Sequence, residues 1–151
     1  MTAVSYTHLY HSFAHYGPWA GPLRRRENGV LIVQQSCETV TYGLNGLQER
    51  GRLCVGPQEP VYAGQIVGLH SRSNDLVVNP GRRKQLTNFR NTGHDENYRL
   101  SPPLRFTLEE ALELIAEDEL VEVTPTAIRL RKRTLDHAQR QREDKQAKAP
   151  A

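Results

Sequence analysis

The sequence has little of what a disulfide-bonded, metal-binding or membrane-spanning protein requires. Its 151 residues include only two cysteines, Cys37 and Cys54, which lie outside any C-x-x-C motif. We therefore predict reduced thiols that pack as small apolar side chains. The sequence also has no apolar run close to the roughly 20 residues that a membrane helix needs. We expect a cytoplasmic protein.

Motifs for nucleotide chemistry are also missing from the sequence. It has no G-x-x-x-x-G-K-[ST], and no G-x-G-x-x-G follows a strand, so nucleotide hydrolysis by this chain alone is not expected. His11 and His15 have the spacing of two zinc ligands on a helix, but the Glu of H-E-x-x-H is lacking and the segment reads as extended. We predict no catalytic residue, cofactor or metal site in this chain.

One alternative is that the chain is a small enzyme. His94, Asp95 and Glu96 are adjacent, and a metal-dependent nuclease could use such a cluster. Two-metal chemistry needs several convergent carboxylates, however, and only these two acids lie nearby. We favour the interpretation that the two acids balance neighbouring arginines.

The hydrophobic pattern predicts one domain of the α+β class, rich in short, mostly antiparallel strands. The clear helix is expected at residues 107–117, where Thr107 and Glu110 have the spacing of a capping box. A short second helix is expected at 43–50, although its glycines cost about 1 kcal/mol each relative to alanine. Residues 61–69 read as two extended segments hinged at a glycine. Further strands are expected at 10–16, 30–33, 39–42, 53–55, 76–78, 120–123 and 127–133.

Positive charge concentrates in a long polar segment after the strand at 76–78. Between residues 79 and 105 there are six Lys or Arg against two acids, with neither strand alternation nor helical period. Long loops of this kind tend to be functional, and this composition suits a polyanion. Phe89 and Tyr98 could stack on an unpaired base, but we favour a role as anchors to the core. Phosphates could be met by Arg82, Arg83, Lys84 and Arg90, and sugars or base edges by Thr87, Asn88 and Asn91.

A second basic run alternates along the predicted strand at 127–133. Arg129, Arg131 and Arg133 are expected on one face, with Ile128 and Leu130 on the other. Same-face residues of a strand lie about 6.6 Å apart, close to the spacing of successive phosphates. An ordinary solvated strand face accounts for this pattern equally well.

Several long motifs together resemble the C-terminal end of the BipA/TypA translational GTPases, relatives of elongation factor G. The resemblance covers about residues 10 to 140, in order and nearly without gaps. One departure is Gln85, which stands where the family usually has a second lysine. The motifs are H-S-R-S-N-D-L-V-V-N-P (70–80), K-x-L-T-N-x-R (84–90), L-Q-E-R-G (47–51), V-Y-A-G-Q-I-V-G (61–68) and E-L-V-E-V-T-P-T-A-I-R-L-R-K-R (119–133).

The resemblance implies a domain organisation for the chain. Residues 26–133 would form the domain peculiar to the family, and 10–25 the last strand of a preceding domain plus a linker. Residues 134–151 would be a basic tail, either a frayed helix or disordered. Residues 1–9 look like the translation of a sequencing adapter and are expected to be a non-native leader. The GTPase domain, with its GTP and Mg²⁺, would be missing.

The resemblance also implies function. Family members bind the bacterial ribosome and are linked to translation under stress and to assembly of the large subunit. The loop matching residues 79–95 would reach the acceptor end of an A-site tRNA, and the chain would be monomeric away from the ribosome. A further alternative is an inactive, unstable fragment. The expected RNA-binding residues are Arg82, Arg83, Lys84, Thr87, Asn88, Arg90, Arg129, Arg131 and Arg133.

Overall fold

A computed structural model describes residues 12–18, 26–84 and 98–147. Within these residues the chain forms strands and helices of the predicted α+β class, with strands in the majority. In chain order the elements are β1 (Val30–Val33), β2 (Cys37–Glu38), α1 (Thr41–Gln48), β3 (Gly51–Leu53), β4 (Pro60–Val61), β5 (Gln65–His70), β6 (Leu76–Val78), α2 (Leu108–Leu114), β7 (Glu119–Val123), β8 (Ile128–Lys132) and α3 (His137–Ala147).

Strand β5 organises the main sheet, whose strand order is β6-β1-β5-β8-β7. One edge of β5 pairs with β1, and its other edge is shared by β3 and β8. The pairing of β1 with β6 is parallel, whereas the other pairs of this sheet are antiparallel. A small second sheet joins β2 to β4. The prediction of mostly antiparallel pairing is confirmed.

The four apolar residues of β1 are buried on both faces of the sheet. Leu31 and Val33 join a core that includes Leu44 and Leu47 of α1. The other two residues of β1 join a second core that includes Ala111 of α2. Because successive side chains of a strand point to opposite faces, α1 and α2 cover opposite sides of the sheet.

Both predicted helices are present. Helix α1 spans Thr41–Gln48, and α2 begins after Thr107 with the predicted capping box, in which each partner's side chain bonds the other's backbone N–H. Helix α2 is shorter than predicted, because Ile115 is extended with ψ 142°. The Glu119 carboxylate then accepts a hydrogen bond from the backbone N–H of Ala116 at 3.0 Å and fixes the turn.

Two predicted strands are wrong. Residues 39–42 do not form a strand, because the buried Thr39 hydroxyl donates to the carbonyl of Gly56 at 2.7 Å and helix α1 begins at Thr41. Of the strand expected at 10–16, residues 12–16 are described, and they are exposed and belong to no strand. No described residue pairs with them, and an unpaired extended segment has no ladder to stabilise it. The strand expected at 53–55 lies earlier, at Gly51–Leu53.

The predictions of a glycine hinge and of free thiols are confirmed, and the tail, for which the sequence left open a frayed helix or disorder, contains a helix. The glycine hinge within 61–69 is Gly64, whose φ of +81° is readily adopted only by glycine. The tail contains helix α3, where the Asp136 carboxylate caps the N-terminus by accepting from the backbone N–H of Gln139 at 2.8 Å. Both cysteines are free. Burial raises the pKa of the Cys54 thiol to about 12, so it stays protonated at neutral pH.

Candidate nucleic-acid interface

Three of the predicted RNA-binding residues, Arg82, Arg83 and Lys84, follow directly from the end of β6. All three side chains are exposed, and none forms a hydrogen bond or ion pair with another residue in the described part of the chain. The turn before them is held locally, because the Asn79 side-chain oxygen accepts from the backbone N–H of Gly81 at 3.0 Å. Three positively charged side chains, without an acidic partner among the described residues, therefore extend into solvent just after an ordered turn.

This turn packs tightly against the start of α1. The buried Pro80 accepts a hydrogen bond from the backbone N–H of Val40 at 3.0 Å. A Cβ atom built on Gly43 of α1 would lie 2.3 Å from the Pro80 carbonyl oxygen, which no real side chain tolerates. Gly46, one turn further, has open space around it. Glycine at position 43 is therefore required for the close approach of the turn, whereas glycine at 46 is not.

The returning segment, from residue 98 onward, docks on the same helix. The rings of Tyr98 and Tyr42 meet edge to face at 5.9 Å. The Gln48 side chain accepts from the backbone N–H of Ser101 at 3.2 Å and donates to the carbonyl of Arg99 at 3.0 Å. The predicted anchoring role is confirmed for Tyr98. Helix α1 thus holds both ends of the basic segment, the exit near its N-terminus and the return along its length.

The remaining loop predictions lie outside the described residues. These are the RNA-binding residues Thr87, Asn88 and Arg90, with Phe89, and the nuclease alternative's His94, Asp95 and Glu96. Within the described ranges, no group of three His, Cys, Asp or Glu side chains is arranged to hold a metal ion. His11 is also outside the described residues, while His15 is exposed in an irregular segment.

The arginines of β8 are partly engaged within the protein. The predicted alternation is present, since Ile128 and Leu130 face the core. Arg129 lies 3.8 Å from the carboxylate of Glu122, its partner across the β7–β8 pair. That carboxylate also accepts a short hydrogen bond from the hydroxyl of Tyr62. Burial and this hydrogen bond raise the pKa of Tyr62 to about 12.

The other two β8 arginines differ in their contacts. Arg133 donates to the backbone carbonyl of Glu117 at 2.8 Å. Arg131 contacts the carbonyl of Lys132 at 3.3 Å, and forms no ion pair with the described residues. Because Arg129 lies beside the Glu122 carboxylate, this face offers less unneutralised charge than its sequence suggests, whereas the partners of Arg131 and Arg133 are neutral carbonyls.

Sequence analysis missed a buried ionic cluster at the end of β8. The ammonium of Lys132 lies 2.6 Å from Asp75, 2.7 Å from Asp118 and 3.0 Å from Glu119, and its side chain is only 4% exposed. Arg26 completes the cluster with two hydrogen bonds to the Glu119 carboxylate, at 2.8 and 2.9 Å. A lysine on the core face of an alternating strand was the available signal. It could not identify the acids, which come from distant segments.

The pKa shifts in this cluster show that its charged forms are stabilised. Burial alone would raise the pKa of Glu119, but hydrogen bonds from Arg26 and from the Ala116 backbone, together with the charge of Lys132, lower it. Burial would likewise lower the pKa of Lys132, but its carboxylate partners raise it. Lys132 and Arg26 therefore serve the fold, and are not available to a ligand.

Comparison with known proteins identifies the family. The family model described as the TypA/BipA C-terminal domain matches residues 28–137. The chain belongs to this family. The resemblance drawn from the motifs is confirmed, and the matched span begins just before β1 and ends at the start of α3.

Relatives of TypA/BipA type match nearly the whole chain. Proteins named large ribosomal subunit assembly factor BipA are 51% identical over 150 residues in Escherichia coli K12, covering 98% of this chain and 25% of the relative. The Haemophilus influenzae protein of the same name is 49% identical over 144 residues, covering 94% and 23%. The chain therefore spans about a quarter of the length of the curated relatives that it matches. In the described residues, no helix is long and apolar enough to cross a membrane.

Proposed function

We propose that this chain is a ribosome-binding module of a BipA/TypA translational GTPase and takes part in assembly of the large ribosomal subunit. Its relatives are named as assembly factors for that subunit. In this proposal the module contributes affinity and placement, whereas GTP and Mg²⁺ would be bound by a domain of the parent protein outside this chain. The protein would act in the cytoplasm, in translation under stress.

The observation that carries the proposal is the exposed run Arg82, Arg83 and Lys84 on an ordered turn. None of the three side chains forms an ion pair with an acidic residue in the described part of the fold. Phosphate contacts from Arg and Lys release counterions and supply much of the affinity for nucleic acid. Because the turn is already fixed by Asn79 and Pro80, little backbone entropy of the turn would be lost on binding.

Within the ribosome, the proposed binding targets of the module are large-subunit RNA and the acceptor end of an A-site tRNA. The loop residues proposed to reach them also include Thr87, Asn88 and Arg90. The face of β8 would add a weaker contact through Arg131 and Arg133, because Arg129 already lies beside the carboxylate of Glu122. Base edges and sugar hydroxyls would be met by the uncharged loop side chains, and phosphates by the cations.

Co-sedimentation with purified large ribosomal subunits over a salt series tests the proposal. The affinity of the wild-type chain should fall as salt rises, with a log–log slope that reports the number of phosphates contacted. R83Q/K84Q should lower that slope by about 1.5, since each lost contact removes about 0.7 to 0.9.

The matched control is R142Q/K145Q, which removes the same charge from the exposed face of α3. Its slope should remain near the wild-type value. Binding that is absent at low salt, indifferent to salt, or weakened equally by both double variants would contradict the proposal. In the last case the attraction would follow net charge alone, without a localised site.

A further inference from the structure

Three arginines outside the predicted site contribute hydrogen bonds to the fold through main-chain atoms, and in each of them the carbonyl is an acceptor. The carbonyl of Arg50 accepts from both the backbone N–H and the hydroxyl of Ser71, each at 2.9 Å. The carbonyl of Arg72 accepts from the backbone N–H of Gly29 at 2.8 Å. The Arg99 carbonyl accepts from the Gln48 amide at 3.0 Å. Every amino acid has a main-chain carbonyl, so these hydrogen bonds do not require arginine at any of the three positions.

The guanidinium groups of these three residues extend into solvent. All three residues are exposed, and no side-chain hydrogen bond or ion pair joins them to a residue in the described ranges. The nearest acid along the chain, Glu49, is also exposed and forms no ion pair within those ranges. Arg50, Arg72 and Arg99 thus form a cluster of positive charge that the described fold does not neutralise.

Backbone pairing places Arg50 beside Arg72, and a hydrogen bond from the Gln48 side chain brings Arg99 to the same corner of the domain. Gly51 pairs with His70 in the β3–β5 ladder, which sets Arg50 beside Ser71 and next to Arg72. Gln48, which holds the Arg99 carbonyl, lies two residues before Arg50. The corner is therefore at the C-terminal end of α1. We call Arg50, Arg72 and Arg99 the corner cluster.

We propose that the corner cluster is a second binding site for RNA phosphates. None of its three arginines is among the RNA-binding residues that the family resemblance implies. This inference rests on the proposed function, because both sites would engage the same ribosomal RNA. A guanidinium offers paired N–H donors that match two phosphate oxygens, which suits arginine better than lysine for this role.

The distance between the two sites suits a single RNA segment. The basic turn docks at the start of α1 and the corner cluster lies at its end, and eight helical residues span about 12 Å. Along the axis of a helical nucleic acid, where one strand rises about 3.4 Å per nucleotide, that distance corresponds to about four nucleotides. Helix α1 would therefore set the spacing of two contacts on one backbone.

The test compares three double variants of the full chain that carry equal net charge. R50Q/R72Q removes two cations from the corner cluster and keeps both carbonyls, so its thermal unfolding should match the wild type. Its salt slope with purified large subunits should fall by about 1.5, as should that of the loop variant R83Q/K84Q. The control R142Q/K145Q should keep the wild-type slope.

The outcomes separate this inference from the proposed function. If the wild-type chain does not bind, both fall. If the loop variant lowers the slope while R50Q/R72Q behaves like the control, the corner cluster is not a site and the proposed function stands. If R50Q/R72Q loses affinity for whole subunits but not for protein-free large-subunit RNA, the cluster contacts a ribosomal protein and the inference is overturned. A lowered slope with both probes supports it.

Discussion

Two short basic runs, residues 82–84 and 129–133, look alike in sequence but are used differently by the fold. The first presents its three cations to solvent, with no ion pair to a described residue. In the second, Lys132 is enclosed by three carboxylates and Arg129 faces Glu122. Charge density along a sequence therefore does not measure the charge that is available to a ligand. Availability depends on which acids the folded chain brings near.

The largest expected effect comes from removing the buried cation. Lys132→Met should lower the free energy of unfolding by about 3 kcal/mol, because the buried Glu119 carboxylate and its acidic neighbours lose a partner. Urea denaturation measures this change. The control Arg83→Met, which removes an exposed cation from the first run, should change stability by no more than about 0.5 kcal/mol. Equal losses in the two variants would show that the runs are not used differently.

A smaller effect is expected where the first run is held in place. Gly43→Ala should cost about 2 kcal/mol, because its methyl group would overlap the Pro80 carbonyl and force the turn away from α1. Gly46→Ala is the matched control on the same helix, and should gain up to about 1 kcal/mol because nothing lies near its Cβ. Thermal or urea unfolding distinguishes them. A Gly43→Ala protein as stable as Gly46→Ala would mean that the turn does not depend on α1.

Features that depend on neighbouring residues could be predicted from the sequence. The strand Val30–Val33, the glycine hinge at Gly64 and the Thr107–Glu110 capping box follow from apolar runs, backbone freedom and a three-residue spacing. The exposed cations at 82–84 were also found from composition alone.

What the sequence could not reveal arises from contacts between distant segments. The strand expected at 39–42 fails because the Thr39 hydroxyl bonds to Gly56 and accepts from the backbone of Glu59. The role of Lys132 depends on acids some 14 and 57 positions away, at Asp118 and Asp75. Periodicity shows which face a residue occupies, but not which partner it meets there.

The smallest expected effect is a loss of stability in acid at the second run, where Lys132 is paired with Glu119. The pKa of Glu119 is lowered in the folded chain, so its contribution to stability is present above the usual Glu value of about 4.3 and is lost as the pH falls through the folded pKa. Glu119→Gln should therefore be less stable than the wild type at pH 7, and the gap should narrow as the pH falls toward 3. Urea midpoints across this range measure the gap. Glu109→Gln, an exposed change on α2, should track the wild type throughout. If the stability difference between Glu119→Gln and the wild type stays constant with pH, the carboxylate contributes by packing and not by charge. The second run would then differ from the first in burial alone.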